Sequence, residues 1–404
     1  MNKEVWIGWF SSMAEAYNMA IYSFIAPLLA ASLFQQTPEW QALFFSYALV
    51  FVGACFLYPL GATYYGMIGD LKGRQKACMY STLGLGAATG LMGLLPFASG
   101  AWIYFLLLIC AQHFFSGGEY HSSVVFSLEH AKDQEGGLMS ALSCLFAVFG
   151  LVAANGLASL SFFAGDPLWI RLCFFVGGLG GLVSFLLKYY CTETPAFSAL
   201  SSAELSHESG FSFVQTHWKT MITVIAILGF FLVSYMYIFI FLPLIPFETT
   251  GQYSLDTFKS LIVYGLFLVT AGLLADKLGV PRVMKWGLAL FCLSVIPLSY
   301  LLNHLFLLQC ALILSACLVI GPIHSWLLNQ FEVQNRCRGI LISSAIATSI
   351  FGGSTVPICL MIFELSQSLA VCSLYPLLIG LIAFHRLRTG TPSRRQGLYR
   401  GRYI

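Results

Sequence analysis

The chain has 404 residues, of which 58% are hydrophobic and 9% are charged, and its formal net charge is +3. Soluble domains carry roughly 25% charged residues, whereas the mean hydropathy of this chain is +0.81. This composition excludes the soluble globular classes and indicates an integral membrane protein.

Apolar runs of about 20 residues are long enough to cross the hydrocarbon core of a bilayer as helices. The sequence contains twelve such runs, so we predict an all-α membrane protein with twelve transmembrane helices. The first run is longer than a signal-peptide core and is predicted to remain uncleaved. The spans cover residues 6–33, 41–66, 77–96, 101–127, 137–164, 168–190, 218–247, 257–275, 283–302, 304–328, 339–363 and 366–386.

Basic residues mark the cytoplasmic side of a membrane protein. With the amino terminus inside, every lysine and arginine except Arg171 and Lys259 falls on that side, so both termini are predicted to be cytoplasmic, in the cell (inner) membrane. The long polar stretch 191–217 divides the spans six and six. We predict an N-terminal bundle (1–190), a cytoplasmic linker (191–217), a C-terminal bundle (218–388) and a basic tail (389–404) that suits anionic lipid rather than nucleic acid.

Two short signatures recur between the halves, which indicates a parallel repeat. GMIGDLKGRQKA, starting at Gly66, aligns with GLLADKLGVPRV, so that Asp70 corresponds to Asp276. HSSVVFSLEHAKDQEG aligns with HSWLLNQFEVQNRCRG, so that His121 corresponds to His324. Both matches fall at helix ends, and together they favour duplication over chance.

These motifs resemble those of a known protein superfamily. GMIGDLKGRQK resembles the loop motif of the major facilitator superfamily, G-x-x-x-D-R-x-G-R-R/K, with Leu71 replacing the first arginine. Four further stretches resemble the metabolite:proton symporter family, whose members carry proline and betaine, 2-oxoglutarate, shikimate or citrate. They are EAYNMAIY (15–22), GGEY (117–120), ETPAF (193–197), and RCRG with FGGSTVP (336–357).

The resemblance implies the major facilitator fold and a set of gating residues at the cytoplasmic ends of the helices. Small residues allow close helix packing in membranes, and an aspartate there can bind a helix amino terminus or a nearby cation; the basic residues of the loop can equally be topology charges alone. The predicted gating residues are Gly66, Asp70, Arg74, Asp276, Arg336 and Arg338.

Ionisable residues at membrane depth are functional-site hypotheses, because a charge there costs roughly 2.5 to 3.5 kcal/mol. Glu15 and Glu119 are the predicted proton-coupling residues, since burial disfavours the charged form of a carboxyl; a structural hydrogen bond to a neighbouring helix is the alternative for each. The resemblance places spans 1, 4, 7 and 10 around the transport path. The predicted substrate-binding residues are Asn18, Tyr22, Gln112, His113, Tyr120, Tyr235 and His324; for the histidines, filling polar gaps is the alternative.

Departures from the family pattern narrow the range of expected substrates. Many relatives have an arginine where this chain has Ile109, an aspartate where it has Asn18, and a tryptophan where it has Ala16. Loss of a buried arginine removes the obvious partner of an anionic carboxylate, unless Arg171 replaces it. Glu15 and Glu119 are also left without an evident permanent counter-ion.

The sequence therefore predicts a secondary transporter that imports a small metabolite, such as an amino acid, betaine or organic acid, by proton symport. Efflux of an amphipathic compound and a non-transporting receptor are the alternatives. The scattered cysteines and the lack of any nucleophile or ligand constellation predict no enzyme, no metal and no cofactor beyond the proton gradient. The expected partners are a small-molecule substrate and the lipid bilayer, without nucleic acid, and the expected state is a monomer.

Overall fold

The computed structural model describes residues 2–35, 37–131, 136–200, 210–245, 253–301 and 304–389. The basic tail from 390 onward, Lys132 and residues 201–209 of the predicted linker lie outside the described residues. Within these ranges the chain forms twelve long helical segments. They are α1 Lys3–Leu33, α2 Glu39–Leu71, α3 Arg74–Met92, α4 Trp102–His130, α5 Gly136–Ala164, α6 Pro167–Tyr189, α7 Ser212–Leu244, α8 Tyr253–Leu278, α9 Val280–Leu301, α10 Leu305–Leu328, α11 Val333–Ser366 and α12 Leu369–Thr389.

Each predicted span coincides with one of these helices, which confirms the all-α prediction. In the described part of the chain, ten helices are long and apolar enough to cross a membrane. The two helices that do not reach the required length and hydropathy together are α3 and α4. The mean hydropathy of α3 is lowered by its glycine, serine and threonine residues, and that of α4 by the polar group from Gln112 to Ser123.

The two halves meet along two helix pairs. The N-terminal α2 packs against the C-terminal α11, and the N-terminal α5 packs against the C-terminal α8. The repeat is visible in the backbone as well, because Gly73 and Gly279 occupy equivalent positions after α2 and α8 and both have a positive φ, 108° and 92°. Such angles favour glycine, so each half makes the same tight turn at the same place.

Three of the C-terminal helices contain an irregular segment. In α7 a π-helical turn runs over Met236–Phe241, and in α11 another runs over Thr348–Gly352. In α10 the helix is interrupted at Gly321 and Pro322. Side chains satisfy the freed backbone groups: Gln309 donates to the carbonyl of Ile238 (2.7 Å), and Ser140 donates to the carbonyl of Gly321 (2.6 Å). Such π-helical turns are frequent at functional sites.

Glycines set the distance between α3 and α6. Gly86 and Gly90 face Gly178 and Gly181, and a Cβ added to Gly86 would lie 2.8 Å from the Cα of Gly181. Where lipid provides no hydrophobic gain, such close backbone packing holds helices together.

We predict that Gly181→Ala destabilises the protein by about 1–3 kcal/mol, because its methyl group would collide with the backbone of α3. The melting temperature of the purified protein in detergent measures this effect. The neighbouring variant Gly180→Ala is the control, since a Cβ there meets only the methyl group of Ala14 at 3.8 Å. Equal melting temperatures for the two variants would contradict the prediction.

Candidate functional site

A cavity of about 160 Å³ lies between the two halves. A single water needs about 10–15 Å³ of such volume, so the cavity has room for on the order of ten waters or one small solute. Its walls come from α1, α2, α4 and α5 of the N-terminal half and from α7, α8, α10 and α11 of the C-terminal half. The predicted substrate-binding residues that line it are His113, Tyr120 and Tyr235.

Glu15 is the carboxylate of this cavity. Its side chain is 7% exposed, and one oxygen accepts a hydrogen bond from the Ser116 hydroxyl at 2.8 Å. No lysine or arginine is among the described lining residues, and no ion pair of Glu15 is found in the described part of the chain. Among the described residues, the partner of this carboxylate is therefore a hydroxyl group and not a cation.

Aromatic rings from both halves surround the same space. Tyr58 and Tyr120 belong to the N-terminal half, whereas Phe231, Tyr235 and Tyr264 belong to the C-terminal half, and all five line the cavity. The faces of such rings attract cations. The cavity therefore combines one carboxylate with an aromatic wall and contains no fixed cation among its described lining residues.

Asn18, Tyr22, Gln112 and His324 are not lining residues of the cavity. Gln112 donates to the Asn18 carbonyl (2.8 Å) and to the Thr89 hydroxyl (2.9 Å), and so ties α4 to α1 and α3. The Tyr22 hydroxyl points to the Ser46 carbonyl at 3.5 Å. In this conformation Tyr22 and Gln112 join helices within the N-terminal half, and the Asn18 amide donates to the Ala14 carbonyl of its own helix at 2.9 Å.

His324 lies directly behind the cavity wall. It is 2% exposed, and its Nε2 is 3.1 Å from the hydroxyl of Tyr120, which lines the cavity. The break in α10 positions His324, because its backbone N–H donates to Ser140 at 3.0 Å. Thus His324 is connected to the cavity through Tyr120, a residue of the other half.

Glu119 has a different environment from Glu15. It is completely buried, and its carboxylate is 2.6 Å from the Nζ atom of Lys188. The expectation that Glu119 lacks a permanent counter-ion is therefore wrong. The remaining acceptor positions are filled by hydroxyl groups from three helices, those of Ser11, Ser81, Thr82 and Ser123.

Lys188 was the residue that sequence reasoning missed. It falls at the end of span 6, where a basic residue has a sufficient explanation as a topology charge, and no spacing connects it with Glu119. The structure buries it at 1% exposure, where it also donates to Thr82 (2.6 Å) and Ser123 (3.0 Å). Its position inside the limits of an apolar span was the one available signal.

Arg171 does not replace the missing arginine in this conformation. One of its guanidinium nitrogens donates to the Gly93 carbonyl at 2.6 Å, and the group lies over the ring of Phe97. Ile109, at the position of the family arginine, is fully buried. The described lining of the cavity therefore contains neither Arg171 nor an arginine at the family position, so no fixed cation there is available to an anionic solute.

The predicted gating residues meet at the contacts between the two halves. The carboxylate of Asp70 accepts the backbone N–H groups of Cys337 (3.2 Å) and Arg338 (2.9 Å) at the start of the α-helical part of α11. Gly66 permits this approach, since a Cβ there would lie 3.1 Å from the Cα of Arg338. In the repeat-related position, Asp276 accepts the N–H groups of Gly137 and Leu138 at 2.8 Å each.

The remaining gating residues strengthen the α2–α11 contact. Arg336 pairs with Glu129 of the N-terminal half at 2.7 Å. Arg74 donates to the carbonyl of Val333 at 2.5 Å and lies 3.4 Å from Asp70. We call the contacts of Asp70, Asp276 and these arginines the latch; it holds the two halves together at the predicted cytoplasmic end.

The beginning of the predicted linker is attached to the same region. The carboxylate of Glu193 accepts the backbone N–H groups of Arg74 (3.0 Å) and Gln75 (3.2 Å) at the start of α3. The ring of Phe197 lies 4.9 Å from the Arg74 guanidinium. The ETPAF stretch thus packs onto the loop between α2 and α3.

Comparison with solved structures defines the class of protein. The fold is similar to that of a D-xylose–proton symporter (TM-score 0.67, 16% identity, 96% of this chain and 97% of the other). It is also similar to that of FucP, a major facilitator superfamily transporter (TM-score 0.64, 13% identity, 96% and 98%). The chain therefore has the major facilitator fold.

Proteins related in sequence are named as transporters of small solutes. The chain is 29% identical to the proline/betaine transporter of Salmonella typhimurium over 91% of its own length and 79% of the relative's. It is 26% identical to the ectoine/proline transporter ProP of Corynebacterium glutamicum, over 95% and 82%. No family model matches the chain.

These comparisons confirm the resemblance to major facilitator metabolite:proton symporters. The relatives and neighbours are transporters and not enzymes, as expected for this chain. We conclude that the protein is a multi-pass membrane protein and a secondary transporter of small solutes.

We predict that Glu119→Gln destabilises the protein strongly, because Lys188 would stay buried without a carboxylate. Breaking a buried pair by removing one partner costs about 3–5 kcal/mol. Thermal unfolding in detergent measures the loss. The double variant Glu119→Leu with Lys188→Met removes both charges and should be more stable than Glu119→Gln. If Glu119→Gln melts like the unaltered protein, the pair does not stabilise the fold.

We also predict that Asp70→Ala opens the latch, because the N–H groups of Cys337 and Arg338 lose their charged acceptor. Hydrogen bonds to charged groups contribute about 1.5–3 kcal/mol, so the labelling rate of Cys337 should rise about tenfold or more. Cys337 is fully buried, and a variant that keeps it as the one cysteine reports opening through maleimide labelling. Asp256→Ala removes an aspartate paired with Lys259 on the surface and should leave the rate unchanged; unchanged labelling in Asp70→Ala would contradict the latch.

Proposed function

We propose that the protein imports a small zwitterionic solute of the betaine or proline type together with a proton. The observation that carries this proposal is the composition of the central cavity. It offers one carboxyl group, Glu15, an aromatic wall and no lysine or arginine among its described lining residues.

The aromatic wall suits a solute with a positively charged nitrogen. Rings of tyrosine and phenylalanine bind ammonium groups through cation–π contacts, and quaternary ammonium ligands are recognised by aromatic cages. Tyr58, Tyr120 and Tyr235 supply such rings from both halves. A solute with only negative charge would find no fixed cation there, which disfavours a simple organic acid.

The size of the cavity and the relatives support the same solute class. The volume of about 160 Å³ accepts one small molecule. The relatives in Salmonella typhimurium and Corynebacterium glutamicum are named as proline/betaine and ectoine/proline transporters. We extend that solute class to this chain as a proposal.

Glu15 is the proposed proton-binding group. Glu119 already has Lys188 and several hydroxyl groups as permanent partners, whereas Glu15 has one hydroxyl and faces the cavity. Taking an unpaired charge out of water is costly. With a protonated Glu15 and a net-neutral zwitterion, the cavity carries no net charge. This loaded state is therefore the one best suited to the change from an outward-open to an inward-open cavity.

The latch is the contact that would have to open for alternating access, in which the cavity faces one side of the membrane at a time. In the present conformation Asp70 and Asp276 each bind the backbone of the opposite half. We propose that the contacts of both aspartates break when the halves rock apart and the solute and proton leave toward the cytoplasm. The proton gradient is the proposed driving force, and the proposed setting is a monomer in the cell (inner) membrane with both termini in the cytoplasm.

Efflux of an amphipathic compound remains the second candidate, because apolar and aromatic residues form most of the wall. The direction of solute counterflow in oriented proteoliposomes separates the two. Accumulation of betaine inside, driven by an inward proton gradient, supports import.

We predict that Glu15→Gln keeps the exchange of betaine across the membrane but loses its uphill accumulation. The amide resembles a permanently protonated carboxyl group and has no proton to release. Radiolabelled betaine uptake into proteoliposomes, with and without a pH gradient, measures both activities. Glu364→Gln changes an exposed carboxylate at the end of α11 and should retain uphill transport. Full accumulation by Glu15→Gln would refute the role of Glu15.

A further inference from the structure

Among the described lining residues of the cavity, two buried polar atoms have no hydrogen-bond partner. They are the Nε2 atom of His121, on α4, and the hydroxyl of Tyr235, on α7. The His121 side chain is 8% exposed. Buried polar atoms are nearly always hydrogen-bonded, so an unpaired pair of atoms beside a solute cavity indicates groups that a ligand satisfies.

Three other polar groups of the wall have hydrogen-bond partners. The Ser116 hydroxyl donates to Glu15, and the Tyr120 hydroxyl is engaged with His324. The Nδ1 atom of His113 lies 2.9 Å from the Ile109 carbonyl. A carbonyl can only accept, so Nδ1 carries the hydrogen and the Nε2 atom of neutral His113 is an acceptor. His113 therefore cannot donate to a carboxylate in that state.

His121 and the pair of Ser116 with Glu15 lie at different levels of the cavity. His121 is five positions after Ser116, which holds Glu15, and this is about 7.5 Å along the helix axis. The cavity therefore has a carboxyl group at one level and an unpaired imidazole nitrogen at another, with the tyrosine rings around them.

We infer that His121 is the specificity-determining residue that recognises the carboxylate of the transported zwitterion, with its Nε2–H as the donor. This inference rests on the proposed function and extends it, because it supplies the anion-binding group that the loss of arginine at position 109 removes. The ammonium end of the solute then lies against the aromatic wall.

The surroundings of His121 connect this recognition with the other half of the protein. The His121 ring lies 5.9 Å from the ring of His324, its repeat-related residue, and 5.0 Å from that of Tyr120. Tyr120 in turn is hydrogen-bonded to His324. A carboxylate bound to His121 is therefore adjacent to a contact that crosses between the halves.

The test compares glycine betaine with choline, which share a trimethylammonium group but differ in the carboxylate. Binding is measured on purified full-length protein by thermal shift and by competition against radiolabelled betaine in proteoliposomes. His121→Leu should weaken betaine binding by about tenfold or more and leave choline binding within about twofold. His121→Gln, which keeps an N–H donor, should recover most of the betaine affinity.

The controls separate this role from a structural one. His304→Leu removes an exposed imidazole that does not line the cavity and should not change the ratio of betaine to choline affinity. Equal losses of both ligands in His121→Leu would overturn the inference, as would a selective loss of betaine in Tyr235→Phe with none in His121→Leu. A protein whose unaltered form binds neither ligand would instead overturn the proposed function.

Discussion

The structure depends on carboxylates that bind backbone N–H groups at helix starts in the opposite half. Asp70 binds the start of the α-helical part of α11, and Asp276 binds the start of α5. A helix amino terminus carries unpaired donors and a partial positive charge, so each aspartate pairs two N–H groups and also lies beside a favourable charge. Because the two contacts are related by the internal repeat, they hold the halves symmetrically and leave the central cavity between them.

The two buried glutamates show how surroundings divide similar residues into different roles. Both are acidic residues in apolar spans, and their sequence context predicts the same function for each. Glu119 is enclosed by hydroxyl groups and Lys188, all within the N-terminal half. Glu15 faces the space between the halves with one hydroxyl as partner. A buried charge is stable only when paired and hydrogen-bonded, so the first is suited to holding helices together and the second to exchanging a proton.

Much of the fold could be predicted from the sequence, because helices in lipid must be long, apolar and internally hydrogen-bonded. The helix limits, the repeat and the close packing of glycines all follow from composition and spacing. The candidate site was predicted less well. His113, Tyr120 and Tyr235 line the cavity, but Tyr22 and Gln112 turn toward neighbouring helices and the Asn18 amide donates to Ala14 of its own helix. Helical periodicity tells which residues share a face; it does not tell whether that face meets a cavity or another helix. Lys188 could not be assigned for a related reason, since its partner is 69 residues away in the sequence.

The attachment of Glu193 and Phe197 to the loop between α2 and α3 changes the mechanical picture of the central connection. Residues 191–217 are a polar linker between two groups of six spans in the sequence, yet their first part caps α3 and packs on Arg74, which also contacts α11. The polar stretch is therefore attached to the N-terminal half at its beginning. Tension along the connection is transmitted to Arg74 and so to the contact between α2 and α11. The connection is thus coupled through Arg74 to the contact between the two halves.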